Sequence, residues 1–247
     1  GLYNEAEKIM SDIEAQVEKN TGKKLELIPT NSLEETKKTA NISFAELFKG
    51  ALLKRVILGS FVLIAMNVVQ YTLINWLPTI FLAQGINLKD SIVLNTMSMF
   101  GAPFGIFIAM LIIDKIPRKV MGPGLLIVIA ILGYIYSMQT NMTYITIIGF
   151  FLITFVYMYV CYASAVYVPE IWPTEAKLRG SGISNAVGRI SGIIAPYAVA
   201  SLLDTKGPMG VFILLGIVSI IVAIAIITIG IETRGASIEE IGNVYKK

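Results

Sequence analysis

Tyr167-Val-Pro-Glu-Ile-Trp-Pro-Thr-Glu-Ala-Lys-Leu-Arg-Gly-Ser-Gly-Ile-Ser-Asn-Ala-Val-Gly-Arg-Ile-Ser-Gly-Ile-Ile-Ala-Pro196 is a polar, proline-bounded turn set between two long apolar runs. It carries Arg189 well inside the second run. An ionisable side chain is costly to hold in hydrocarbon, so it normally faces a partner or a wet cavity. A cation placed there marks a pathway through a membrane protein.

Composition agrees with a membrane setting. Of 247 residues, 55% are hydrophobic and only 15% are charged, which is far from an ordinary soluble domain and points to a polytopic membrane protein. The net charge of +3 is small, and no basic patch is interleaved with aromatics, so no nucleic-acid partner is expected. Cys161 is the only cysteine and lies in an apolar run; neither a disulfide framework nor a thiolate metal site can be built on it. The chain has no histidine, which removes serine-histidine membrane proteases, His-Glu-x-x-His metalloproteases and haem held by histidine. No metal, no cofactor and no enzymatic activity are expected. The sequence opens at Gly1 without the order of a signal peptide and is read as part of a longer polypeptide or as a processed one.

Residues 1–50 are polar, with Ala6, Ile9, Ile13 and Val17 recurring at three and four between charged residues. That spacing predicts one amphipathic helix, stopping at Asn20-Thr-Gly22 and followed by an extended 25–29 segment. Ser32-Leu-Glu-Glu35 and Ser43-Phe-Ala-Glu46 both have capping-box spacing. By composition this is a solvated linker helix.

Six apolar runs follow: Val56 to Leu82, Ile92 to Ile113, Val120 to Met138, Tyr144 to Val168, Gly180 to Leu203 and Val211 to Ile231. Each meets or approaches the roughly 20 residues needed to cross hydrocarbon. Backbone groups in lipid must be satisfied within each segment, so an all-α, six-helix bundle with short turns is predicted. Basic residues collect on one side: Lys49, Lys54 and Arg55; Lys115, Arg118 and Lys119; Lys177 and Arg179; then Arg234, Lys246 and Lys247. The other side has only Lys89 and Lys206, each beside an aspartate. The positive-inside rule therefore puts both ends of the segment in the cytoplasm, with the spans in the cell membrane.

Pro169-Glu170-Ile-Trp-Pro173-Thr174-Glu175, Arg179-Gly180 and Asn185-Ala-Val-Gly-Arg189-Ile-x-Gly192 resemble the junction of the tenth and eleventh helices in major facilitator superfamily transporters, sugar and metabolite porter branch. Asp114-Lys-Ile-Pro-Arg118-Lys119 is similar to the short motif of each half, although Met110 and Pro117 stand where that family has glycines. Glu232-Thr-Arg234-Gly resembles the signature after the twelfth helix, with Ile231 in place of its proline. The resemblance implies helices seven to twelve of a twelve-helix fold. It assigns residues 1–50 to the inter-half loop, 51–231 to the bundle and 232–247 to the tail.

It also implies a charged gate. Asp114 with Arg118 and Lys119 would latch neighbouring helix ends; Glu170, Glu175 and Arg179 would form a second cluster, with Glu232 and Arg234 from the tail. A carboxylate and a guanidinium at such a border can pair, and breaking the pair can accompany inward opening. The alternative for Asp114 to Lys119 is a basic loop that only anchors topology.

For solute binding, Asn67, Gln70, Tyr71, Asn75 and Trp76 put amides and aromatic plates at three- and four-residue spacings in the first run. Tyr162 and Asn185 join this set, with Arg189 as the anion site. Ser184, Gly188 and Gly192 repeat small side chains every four residues, a spacing that lets helices approach closely. The alternatives are interhelical glue for the amides and snorkelling to the surface for Arg189. The family's paired glutamines would fall at Ala65 and Met66, and its tryptophan near Ala165. Organic acids therefore stand beside hexoses as solutes. No Asp or Glu lies mid-span, so a proton-coupling carboxylate would belong to the missing half. The resulting expectation is a secondary transporter for a small solute, symporting or uncoupled, whose partners are its N-terminal half and the bilayer. The alternative is a nutrient sensor on the same bundle.

Overall fold

The computed structural model describes residues 3–22 and 43–235. The predicted 25–29 extension, the Ser32 capping box, and Ala236 to Lys247 of the tail lie outside them. In the first unit, α1 (Tyr3–Thr21) is the amphipathic helix the spacing predicts, and none of its side chains is buried. Glu5 in its first turn and Lys19 in its last complement the helix dipole. Gly22, at φ +65°, ends it and donates its N–H to the Glu18 carbonyl at 2.9 Å.

The second unit opens with a 3₁₀ turn, Phe44–Phe48, in which the Glu46 carboxylate accepts the Ser43 N–H at 2.7 Å. The capping-box spacing thus makes a separate turn, with Leu47 fully buried, before the first span starts at Gly50. The spans follow as α2 (Gly50–Ala83), α3 (Leu88–Met99) with α4 (Gly101–Ile112), α5 (Arg118–Ser137), α6 (Met142–Val160) and α8 (Lys177–Ile229). A π-helical stretch, Cys161–Tyr167, and the short α7 (Val168–Glu170) join the last two.

Five of these helical stretches are long and apolar enough to cross a membrane. The two final predicted runs fall together in one of them, α8, whose helix breaks at Gly207 (φ 68°, ψ −168°) ahead of Pro208. Only glycine adopts that backbone without strain. Its two arms, 177–206 and 208–229, are the fifth and sixth runs of the sequence. The second run is interrupted at Phe100, where Pro103 has no N–H to return to the Met99 carbonyl.

Glycines decide how the helices meet. On α4, a Cβ at Gly101 would fall 2.2 Å from the Phe150 carbonyl oxygen, and one at Gly105 would fall 2.2 Å from that of Thr154. Those two helices therefore pack backbone to backbone. On α8, Ser184 meets Gly59, Gly188 meets Leu63 and Asn67, and Gly192 meets Tyr71. Residue numbers rise together along both helices, so α2 and the first arm of α8 run side by side in the same direction. The four-residue stripe of small side chains is their seam.

Candidate functional site: a charged clasp and a cleft

Two places gather the residues singled out in the sequence. The first is a clasp at one end of the bundle, centred on Arg118 at the start of α5. Its guanidinium is 4% exposed and donates from Nε to Glu170 Oε2 at 3.1 Å and from Nη2 to Glu170 Oε1 at 3.2 Å. Nη2 also reaches Asp114 Oδ1 at 3.1 Å, and Nη1 donates to the Ile113 carbonyl. This planar, forked donor set suits a bidentate carboxylate in a way a lysine could not.

Glu232 arrives from beyond α8 and caps α5. Its Oε1 accepts the Arg118 N–H at 2.9 Å and its Oε2 the Lys119 N–H at 3.0 Å. A carboxylate meets the unpaired amides and positive dipole end of a helix N-terminus. Burial alone would raise the Glu232 carboxyl, but the backbone N–H groups of Lys119, Arg118 and Arg234, with the Arg118 charge, hold it below the ordinary glutamate range. Lys119 and Arg234 thus enter the clasp through their backbone. Thr233, which the sequence reading passed over, donates its hydroxyl to Glu170 Oε2 at 2.5 Å. Glu175 lies exposed on the turn before α8, and Arg179 is exposed in the first turn of α8.

A tyrosine ladder braces this clasp. In π geometry residues five apart lie about one turn apart, and Tyr162 and Tyr167 accordingly stack with centroids 5.0 Å apart and planes 16° from parallel. Tyr162 donates its hydroxyl to the Arg118 carbonyl at 3.0 Å, over Gly122. Tyr167 donates to the Ile231 carbonyl at 3.1 Å and accepts the Ile231 N–H at 3.0 Å. Tyr159 donates to the Val62 carbonyl at 3.1 Å. The expectation that Tyr162 faces solute is corrected here: its ring is fully buried and its hydroxyl is committed to the clasp. The Tyr162 and Tyr167 spacing just ahead of Pro169 is the signal that identifies the ladder.

The second place is a cleft of about 300 Å³ between α2 and the first arm of α8, walled by Tyr71, Asn75, Arg189, Gly192, Ile193 and Pro196. Tyr71, Asn75 and Arg189 of the predicted solute set come together in it. Asn67 sits behind it, 4% exposed, with its amide donating to the Leu63 carbonyl at 2.8 Å. That bond closes back one turn within α2 and leaves Nδ2 packed against Gly188 of α8. Gln70 and Trp76 are half-buried, Trp76 against the core. Asn185 is exposed one turn before Arg189 and turns its amide back to the Ser181 carbonyl at 2.9 Å. Arg55, one of the basic residues ahead of the first predicted run, lies inside α2 and is 1% exposed.

Residues 1–245 match the family described as sugar (and other) transporter. The chain belongs to that family. It is therefore a member of the sugar and metabolite porters of the major facilitator superfamily, as its motifs indicate. One relative is the putative metabolite transport protein YdjK of Escherichia coli (strain K12), 74% identical over 241 residues, which cover 98% of this chain and 52% of the relative. The inner membrane metabolite transport protein YdjE of the same organism is 48% identical over 97% of this chain and 53% of its own length. The niacin transporter NiaP of Acinetobacter baylyi is 26% identical over 98% of this chain and 54% of its own. The chain thus spans about half the length of the curated relatives it matches, and within this family it supplies one half of a porter-sized bundle, a multi-pass membrane protein.

Proposed function

We propose that the complete protein is a secondary transporter that moves a small metabolite, an organic acid or a sugar-like solute, across the cytoplasmic membrane by alternating access. The cleft carries this reading: three polar side chains on two adjacent helices face a mostly apolar hollow, the composition of a small-molecule site. Its missing wall is assigned to an N-terminal six-helix half, with the site between halves and one half rocking against the other. The clasp is assigned to the cytoplasmic side, where the positive-inside rule puts Lys115, Arg118 and Lys119 together with both ends of this segment. It would hold the inner ends together in one state and release them in the other. The names of the relatives support transport of a metabolite, and that of NiaP supports an acid among the candidates. Among the described residues the spans carry carboxylates only toward their ends, at Asp90, Glu170 and Asp204; proton coupling is assigned to a group on the other half.

Counterflow uptake into proteoliposomes tests this, with the two-half protein offered labelled sugars and labelled monocarboxylates in parallel. Saturable uptake of one class supports the transporter. Binding without flux would replace it with a sensor.

A further inference from the structure

The geometry points to a flat monoanion as the solute class of the cleft, with its carboxylate on Arg189 and its ring on Tyr71. This rests on the cleft being the solute site proposed above. The polar complement of this wall is short: one guanidinium, one amide at Asn75 and one phenol at Tyr71, beside Gly192, Ile193 and Pro196. Arg189 is exposed to the hollow, and a guanidinium fork matches a planar carboxylate with two parallel hydrogen bonds. In hydrocarbon an arginine without such a counter-charge is costly. A neutral, many-hydroxyl solute would leave that charge unanswered and would press several of its own hydroxyls against Ile193 and Pro196 without partners. A ring bearing one carboxylate fits both features.

Tyr71 is held as a plate by Gly192. A Cβ at Gly192 would lie 3.0 Å from Tyr71 Cδ2 and 3.3 Å from Cε2, so the ring rests directly on the helix backbone. Behind it, Asn67 is tied to the Leu63 carbonyl at 2.8 Å and fills the floor beside Gly188. Tyr71 is 36% exposed and lines the cleft while its Cδ2–Cε2 edge is fixed against Gly192, which favours stacking of a flat solute. Gly192 is the positioning residue of this plate, and Arg189 reads the charge.

Ligand-induced thermal stabilisation of the complete transporter tests the class, because binding to the folded state raises its melting temperature. Benzoate, benzamide and glucose are the probes. Benzoate is expected to stabilise with a midpoint concentration at least tenfold lower than benzamide, which has the same ring and no charge. In Arg189→Gln the benzoate midpoint rises at least tenfold and the benzamide midpoint stays, so the two converge. Arg189→Lys, which keeps the charge without the fork, lies between. In Gly192→Ala both midpoints rise several-fold while their ratio is kept, because the displaced plate serves both rings. Equal stabilisation by benzamide, stronger stabilisation by glucose, no stabilisation by benzoate, or a benzoate midpoint indifferent to Arg189→Gln would each overturn the proposal. Asn75→Trp, which fills the hollow, separates the two levels. If flux survives Asn75→Trp, the cleft is not the solute path and the underlying reading falls; if flux is blocked while glucose outperforms benzoate, only the flat monoanion falls.

Discussion

Arg118 holds Glu170 by two parallel hydrogen bonds of 3.1 and 3.2 Å, joining the first turn of α5 to the last residue of α7. Because the guanidinium is 4% exposed and the carboxylate 34%, the pair lies between a surface bridge and a buried one. Removing Glu170 leaves a nearly buried cation without its main partner, a change that costs several kcal/mol when burial is complete and less here. Glu170→Ala is expected to lower the stability of the clasped state by about 1–3 kcal/mol, read as a fall in melting temperature of the complete protein. Glu170→Asp, one methylene shorter, should lose the fork and keep part of the effect.

Asp114 touches the same guanidinium but is 86% exposed. Exposed pairs contribute little to stability, about 0–1 kcal/mol, so Asp114→Asn should leave the melting temperature nearly unchanged. Its effect belongs to the rate at which the clasp opens and closes. Counterflow should slow while equilibrium solute binding persists; a loss of binding would show that Asp114 does something other than latch helix ends.

Glu232 gives the clasp a pH dependence. Its carboxyl is held below the ordinary glutamate range, so the stability it supplies is complete above the unfolded-state value and is lost as pH falls through the lower folded one. Wild type should therefore lose more stability than Glu232→Gln on acidification below about pH 4, and the two should match once the carboxylate is protonated. Hydrogen exchange at the Arg118 and Lys119 amides is the local measurement. Faster exchange in Glu232→Gln at neutral pH is expected, and equal rates there would count against the cap.

Tyr162 is assigned to the clasp and not to solute. Tyr162→Phe removes one hydroxyl bond of 3.0 Å and leaves the Arg118 carbonyl without that donor, at an expected cost of about 0.5–1.5 kcal/mol. Solute affinity should be unaltered. A weakened affinity with unaltered melting temperature would return Tyr162 to the binding set.

Gly105 bears on the bundle itself. A methyl group there would sit 2.2 Å from the Thr154 carbonyl oxygen, with backbone and no flexible side-chain end to give way. Gly105→Ala should cost about 1–3 kcal/mol through overpacking, while Gly124→Ala, which meets nothing within 4 Å, is the matched control. Thermal unfolding in detergent compares the two.

The runs, the cap at Ser43, and the small-residue seam at Ser184, Gly188 and Gly192 were legible in the sequence because each follows from local chemistry. Composition marks the spans, a short polar side chain marks a helix start, and spacing marks a face. Arg118 with Asp114 was legible because the short motif holds both in one turn between α4 and α5. What was not legible depends on which helix lies alongside. Tyr162 and Asn67 look like solute contacts in one dimension, yet Tyr162 is bonded to α5, and Asn67 is bonded back within α2 and covered by α8. Arg55 reads as a border charge and is enclosed by packing. The π-helical stretch hides because its five-residue register departs from the period by which helices are recognised.

The Glu232 cap also sets an order of events in biogenesis. The first amides of α5 at Arg118 and Lys119 are satisfied by a side chain more than a hundred positions later, beyond the end of the last span. During synthesis that helix start lacks this cap until residue 232 has been made. A chain stalled or cut before residue 232 would carry all its spans and still present bare, positively polarised amides at the start of α5. The Glu232 cap is thus a joint that can close only after the last span has been made, later than the Arg118 and Glu170 pair it adjoins.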